Sequence, residues 1–233
     1  MENVVKLFPD SGLSLVDRIT RARLAMQAAA ESTPEETAPD YSITTRPGYM
    51  GATAWDGSNS HRSDLYGAGL SKAIREALKG DGIKGVTVSV KTYTGGQSIT
   101  LKVTATPRDY LELAQYIEAT NIWDFSAFGW IVDTDSETGE RVSTEAVNGW
   151  SHEKRQRVHA ELARRDMESM KDGHAQLNHF HIDSYKVFAP DFIKKLHRIR
   201  QIVDSFNYDD SNSMVDYFDR GFYESWYIKY ADK

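Results

Sequence analysis

The C-terminal stretch at residues 192–230, FIKKLHRIRQIVDSFNYDDSNSMVDYFDRGFYESWYIKY, decides how the chain folds. Its first part predicts an amphipathic helix, because apolar residues recur at steps of three and four: Phe192, Leu196, Ile199, Val203 and Phe206. Its last part predicts a strand that carries Phe222, Trp226 and Ile228 on one side. The apolar face of the helix needs a sheet to cover, so we expect the strand to join a sheet on which the helix packs.

The clearest strand pair of the sequence lies at residues 86–104. Valines alternate with polar residues at 86–90, aliphatic residues do the same at 99–103, and Thr94-Gly95-Gly96 supplies the turn. Further helices are predicted at residues 64–79, from Thr106 onward, and at 151–172. This order of elements predicts an α+β fold with a mainly antiparallel sheet, which the hairpin and the C-terminal strand form and helices cover.

Composition divides the chain into two parts. Residues 1–48 predict an N-terminal helical arm followed by a flexible linker, because the region after the helix is polar and punctuated by prolines. Residues 49–233 predict a single α+β domain. Within it, residues 121–173 are predicted to form an insert with a second hairpin, in which 130–133 pairs with 141–144.

The totals exclude several classes of protein. The chain has 233 residues, a net charge of −6 and no cysteine, so a disulfide framework and a thiolate metal site are excluded. The acidic balance argues against broad, non-specific binding of phosphate backbones. No apolar run reaches the length of a membrane span, and the first residues lack the basic and apolar regions of a signal peptide. We therefore expect a protein of a reducing cytosol with no membrane partner.

A histidine-rich segment is the candidate metal site. Residues 178–187 predict an extended segment, on which His179, His181 and Asp183 would point to one face. Two imidazoles and a carboxylate could hold zinc, iron or manganese, with Asp209 or Asp210 as a further ligand. The alternative, which we favour because the spacing matches no specific metal motif, is a half-buried strand with a polar outer face.

The acidic, aromatic segment after the C-terminal helix is the candidate partner-binding site. Its members are Asp209, Asp210, Asp216, Tyr217 and Asp219. Such a cluster could present negative charge to a basic protein. In the alternative interpretation, the Asp and Asn side chains satisfy the backbone where the helix passes to the strand.

A basic helix is the candidate nucleic-acid site. Arg155, Arg164 and Arg165 lie within the helix predicted at 151–172, but acidic residues are interleaved with them, so a solvated face is the better interpretation. The sequence holds no phosphate-binding loop, no nucleophile elbow and no zinc-protease helix. It therefore predicts no catalytic residue and no cofactor.

Two blocks of the sequence resemble a family found in mobile genetic elements. The first block is IREALK at 74–79, VTVSV at 86–90 and GGQSI at 95–99. It resembles the hairpin pattern of the large-polyvalent-protein-associated domain family of phages, plasmids and conjugative elements. The second block is similar to the C-terminal segment of small prophage proteins that carry the same hairpin: NHFH at 178–181, SFNYDDS at 205–211, DYFD at 216–219 and Phe222-Tyr223. It departs from their pattern at Asn212 and at Arg220-Gly221.

The resemblance implies an origin and a mode of action. We expect an accessory protein of a phage or mobile element that acts in the bacterial cytoplasm by binding a host protein or nucleoprotein complex. Inhibition of a host defence system, of the anti-CRISPR or anti-restriction type, is the expected outcome. The family supplies no established catalytic residues, so none is carried over. Two alternatives stay open, a metal-dependent enzyme that uses His179, His181 and Asp183, and a nucleic-acid-binding accessory protein.

Overall fold

The structure, a computed structural model, describes residues 39–128, 144–172 and 175–232. In chain order the described helices and strands are β1 (Ile43–Pro47), β2 (Thr53–Gly57), α1 (Ala68–Gly80), β3 (Val86–Tyr93), β4 (Gly96–Ala105), α2 (Leu113–Ala119), α3 (Thr144–Gly149), α4 (His152–Lys171), β5 (Ala175–Leu177), α5 (Pro190–Asp204), β6 (Tyr208–Asp209) and β7 (Tyr223–Tyr230). The predicted α+β class is confirmed.

The central sheet has four strands in the order β3-β4-β7-β5. The predicted hairpin forms β3 and β4, and Gly95 makes its turn at a φ of 87°, which glycine adopts without strain. The C-terminal strand β7 joins β4 as expected, with Leu101 opposite Trp226. The two strands run parallel, because the long connection between them crosses over from one end of the sheet to the other.

Helix α5 packs into the same core as this sheet. Its residues Phe192, Leu196, Ile199 and Val203 are buried together with Leu101, Trp226 and Ile228 of the sheet. The three- and four-residue spacing of the apolar residues therefore identified the correct face of the helix.

We predict that Leu101→Ala lowers the free energy of unfolding by about 2–5 kcal/mol. Leu101 is fully buried in the central strand β4, so the substitution leaves a cavity that the sheet cannot close. Urea denaturation measures the change, and Lys102→Ala, at the next and exposed position, is the matched control. A loss below about 0.5 kcal/mol for Leu101→Ala would contradict its position in the core.

A smaller antiparallel sheet has the strand order β1-β2-β6. Its first strand lies in the region predicted as a linker, and the other two strands follow that region in the sequence. The flexible linker was expected to reach residue 48, but residues 43–47 form β1 and pair with β2. Gly57 at the end of β2 lies against the backbone of Asp204 and Ser205, where a β-carbon would come within 2.4 Å of both carbonyl oxygens. This close approach fixes the sheet against the end of α5.

Two local predictions differ from the structure. The helix expected from Thr106 onward is a single 3-10 turn, Pro107–Asp109, because the chain then extends at Tyr110 to bridge Phe188 before α2 begins. The extended segment expected at 178–187 contains a 3-10 helix, His179–Ser184, which the Asn178 side chain caps by accepting from the Phe180 amide. The N-terminal arm and the hairpin predicted at 130–133 and 141–144 lie outside the described residues, except for Thr144, where helix α3 begins.

Candidate functional site

The predicted metal cluster does not form. A 3-10 helix does not alternate its side chains as a strand does, so His179, His181 and Asp183 point in different directions. The ring of His179 lies against Trp226. Asp183 instead contacts His197, with 2.7 Å between Oδ1 of the aspartate and Nε2 of the histidine. In the described part of the chain, no group of three or more His, Cys, Asp or Glu residues is placed to hold a metal ion. Neither the three ligands on one face nor the favoured half-buried strand is found, because residues 179–184 form a 3-10 helix.

The acidic residues of the candidate partner site are mostly engaged within the chain. Asp209 pairs with Arg220, and Asp210 accepts from the Tyr49 amide at 2.9 Å and from Arg46 at 3.1 Å. The Tyr49 amide, together with Arg46, lowers the pKa of Asp210. The Ser211 amide also donates to Asp209 at 3.0 Å, a local backbone contact of the kind that the alternative describes, whereas the partners of Asp210 lie far away in the sequence.

The remaining two carboxylates of that set differ from each other. Asp219 accepts from the hydroxyls of Tyr208 and Tyr217 at 3.1 and 3.2 Å. Asp216 is exposed and has a left-handed backbone with a φ of 52°. The negative charge that this segment could present to a partner is therefore reduced, and its residues Tyr208–Asp209 pair with β2 of the smaller sheet.

The candidate nucleic-acid residues on α4 are largely neutralised. Arg164 pairs with Glu161 at 2.8 Å and with Glu168 at 2.6 Å, and Arg165 pairs with Glu161 at 2.7 Å. Arg155 is exposed. The glutamates of these pairs offset the positive charge of Arg164 and Arg165, so α4 attracts a phosphate backbone only weakly. The interleaved charges of the sequence predicted this result.

Large apolar side chains are exposed on the loops around residues 49–51 and 212–219, and also at Tyr66 and Tyr223, which line a cavity together with Phe218. We call this set the aromatic surface: Tyr49, Met50, Tyr66, Met214, Phe218 and Tyr223. The two loops are joined, because the rings of Tyr49 and Tyr217 lie 4.3 Å apart and Asn212 donates to the Tyr49 carbonyl at 3.1 Å. Exposed apolar groups of this size are uncommon unless they mark a contact with a partner.

One side of the aromatic surface is a shallow cavity of about 430 Å³. It brings together Tyr66, the hairpin turn Gly95–Gly96, and Phe218 and Tyr223 from the C-terminal block. The two blocks that carry the family resemblance are far apart in the sequence, yet they line the same cavity.

A second cavity, of about 320 Å³, lies between the smaller sheet, α5, β7 and the 3-10 helix at 179–184. We call it the polar cavity, after the side chains that line it: His179, Arg200, Asp204, Asn207, Arg220 and Glu224. The Glu224 side chain is 6% exposed, and its carboxylate accepts from the indole of Trp226 at 2.8 Å and from Asn207 at 3.4 Å. It lies 4.0 Å from Nε2 of His179, whose ring stacks on Trp226.

Burial displaces the pKa values of the polar cavity in opposite directions. Burial, reinforced by the nearby Asp204 carboxylate, raises the pKa of Glu224 to about 7. Burial and the charges of Arg200 and Arg220 lower the pKa of His179 to about 4. At neutral pH His179 is therefore uncharged, and Glu224 is close to half protonated. Strongly displaced values in a cavity are a recognised mark of functional sites.

Glu224 was not among the residues selected from the sequence, although a signal was present. It occupies the inward-facing position between Phe222 and Trp226 on β7, where the alternation requires an apolar residue. An acidic residue on the buried face of a strand needs partners or a function, so this break in the pattern could have identified the cavity.

Comparisons add no relative. No family model, no curated protein and no solved structure matches the chain. Among the described residues, no helix combines the length and the apolar character needed to cross a membrane.

Proposed function

We propose that this protein is an accessory protein of a phage or other mobile genetic element that acts by binding a host protein or nucleoprotein complex. We further propose that it does so in the bacterial cytoplasm, as an inhibitor of a host defence system of the anti-CRISPR or anti-restriction type. One observation carries the binding mode: the hairpin turn and the C-terminal block, which hold the family resemblance, meet at an exposed aromatic surface.

The composition of this surface favours a protein partner over nucleic acid. Met214 is 89% exposed and Met50 is 71% exposed. Tyr66 is 63% exposed and Phe218 is 58% exposed. Such exposure is expected where a partner removes the side chains from water. Methionine adapts to irregular contacts, and aromatic residues supply most of the binding energy in protein interfaces. A nucleic-acid site would need a basic surface, which the net charge of −6 does not favour.

The charges at the rim suggest what the partner presents. Asp216 is exposed within the same loop as Met214 and Phe218. Asp210 and Asp219, by contrast, already bind groups of the chain. The partner surface should therefore be apolar at its centre, with a lysine or arginine placed to meet Asp216.

Capture from a bacterial lysate followed by direct titration tests the proposal. We predict that Met214→Ser combined with Phe218→Ser weakens binding of the captured partner by about 100-fold, since two central apolar contacts are lost. The melting temperature should change by less than about 2 °C, because both side chains are largely exposed.

The matched control keeps the same positions apolar. Met214→Leu combined with Phe218→Leu should bind the partner within about threefold of the unsubstituted protein. If no protein is retained at moderate salt, or if the double serine variant binds as tightly as the double leucine variant, the aromatic surface is not the binding site.

A further inference from the structure

The polar cavity has the construction of a small-molecule site. Its volume of about 320 Å³ falls within the range of ligand pockets, and it combines aromatic walls with a few convergent polar groups. The aromatic walls include Trp55, Phe180 and Tyr223. The ring of Phe180 is 61% exposed, with the centre of the His179 ring 4.1 Å and the guanidinium of Arg200 5.3 Å from its own centre. A fixed, exposed ring at a cavity mouth is suited to stack on a flat ligand.

The charges of the cavity argue against a charged ligand. Arg200 is paired with Asp204 at 3.2 Å, and Arg220 is paired with Asp209, so both guanidinium groups are compensated. His179 is neutral near pH 7. A cation would meet the two arginines, and an anion would meet the carboxylates of Asp204 and Glu224. An uncharged ligand avoids both conflicts.

The acceptors of the cavity argue for a ligand rich in hydrogen-bond donors. Glu224 and Asp204 both line the cavity, so two carboxylate groups face the same space. Each carboxylate oxygen has more than one lone pair, so the bonds from Trp226 and Asn207 leave Glu224 with capacity to accept again. Adjacent N–H donors on a planar ring fit two neighbouring acceptors of this kind. Guanine offers such an edge in its N1–H and 2-amino groups.

We propose that the polar cavity binds a guanine-type nucleobase, which Glu224 and Asp204 recognise through its N–H donors and on which Phe180 stacks. The ligand is an uncharged nucleoside, because both arginines of the cavity are already paired with carboxylates. This site borders the aromatic surface, since Arg220 and Tyr223 line both cavities, but it does not depend on a protein partner.

Calorimetric titration with guanosine, inosine and adenosine tests the proposal on the full chain. We expect guanosine to bind, inosine to bind at least about fivefold more weakly because it lacks the 2-amino donor, and adenosine to bind more weakly still. Glu224→Gln replaces one acceptor by a donor of the same shape and should weaken guanosine binding about tenfold or more. Lys186→Ala lies at a different cavity and is the control that should bind guanosine unchanged.

A second variant keeps the test independent of the buried carboxyl group. Phe180→Ala removes a mostly exposed ring, so the fold should be retained while guanosine binding falls by about tenfold. Absence of guanosine binding up to about 5 mM would overturn the proposal. Equal binding of guanosine and inosine, or unchanged binding in both Glu224→Gln and Phe180→Ala, would overturn it as well.

Discussion

Trp226→Ala is expected to lower the free energy of unfolding by about 3–5 kcal/mol, the upper end of the range for a single substitution. Trp226 is 1% exposed and lies opposite Leu101 in the parallel pair of β4 and β7. Its ring stacks on His179, and its indole N–H donates to Glu224 at 2.8 Å. The substitution therefore empties part of the core and also removes a donor from a buried carboxyl group, two losses that add to each other.

Two further variants separate these losses. Trp226→Phe keeps most of the apolar volume but loses the indole donor, so its cost should fall between zero and that of Trp226→Ala. Lys229→Ala, at an exposed position of the same strand, should change stability by less than about 0.5 kcal/mol. Urea denaturation measures all three. If Trp226→Ala and Lys229→Ala had the same effect, β7 would not lie in the core of the fold.

The parts of this fold that followed from the sequence are those in which a single face is buried. The valines of β3 and the aliphatic residues of β4 alternate with polar residues, and the structure pairs them in the predicted hairpin. Helix α5 has an apolar stripe at helical spacing, and the structure buries that stripe. In both cases the local pattern and the final packing agree, so local reasoning was sufficient.

The parts that did not follow depend on contacts between distant residues. The alternation of apolar and polar residues predicts that β7 is a strand. It does not determine whether β7 runs parallel or antiparallel to β4. The short strand β6 has two residues, Tyr208–Asp209, and its pairing with β2 depends on Gly57 lying against the end of α5. The local competition at Asn178, whose side chain caps a 3-10 helix, overrode the alternating pattern of residues 178–187.

The candidate sites show the same division. The C-terminal acidic segment was selected from composition, and the structure engages most of its carboxylates within the chain, with Arg220, the Tyr49 amide and a tyrosine hydroxyl. The polar cavity is assembled from β7, α5 and the 3-10 helix, so no local window of sequence contains it. His179 was selected, but for a metal site with His181 and Asp183 rather than for its approach to Glu224.

The pair of His179 and Glu224 leads to a prediction about stability and pH. The pKa of Glu224 is raised from an ordinary 4.5 to about 7, so its contribution to stability is present below pH 4.5 and is lost as the pH rises through 7. The pKa of His179 is lowered from an ordinary 6.5 to about 4, so its contribution is present above pH 6.5 and is lost as the pH falls through 4. Each change corresponds to about 3 kcal/mol, at about 1.4 kcal/mol per pKa unit.

These two contributions cancel in the unsubstituted protein. Between pH 4.5 and 6.5 the unfolded chain carries one proton on His179, and the folded chain carries one on Glu224. The number of bound protons is then the same in both states, so the pair adds no slope to the dependence of stability on pH. When either side chain is replaced, the titration of the other should give the free energy of unfolding a slope against pH.

We predict that Glu224→Gln and His179→Gln give stability curves that diverge in opposite directions from that of the unsubstituted protein. Relative to it, Glu224→Gln should gain about 3 kcal/mol between pH 4.5 and pH 8, because the buried carboxylate is no longer ionised at high pH. His179→Gln should lose about the same amount over that interval, because the ionisation of Glu224 is no longer offset. Urea denaturation at intervals of pH measures both differences.

The differences between curves isolate the pair from the other titrating groups around it. Burial also raises the pKa of Asp204, and Arg200 and Arg220 face the cavity, but these groups are present in all the variants. Lost hydrogen bonds shift a whole curve without changing its slope. The double variant Glu224→Gln with His179→Gln should therefore run parallel to the unsubstituted protein. Single variants that also ran parallel would show that the two side chains keep ordinary pKa values, and that the proton does not lie on the carboxyl group of the cavity.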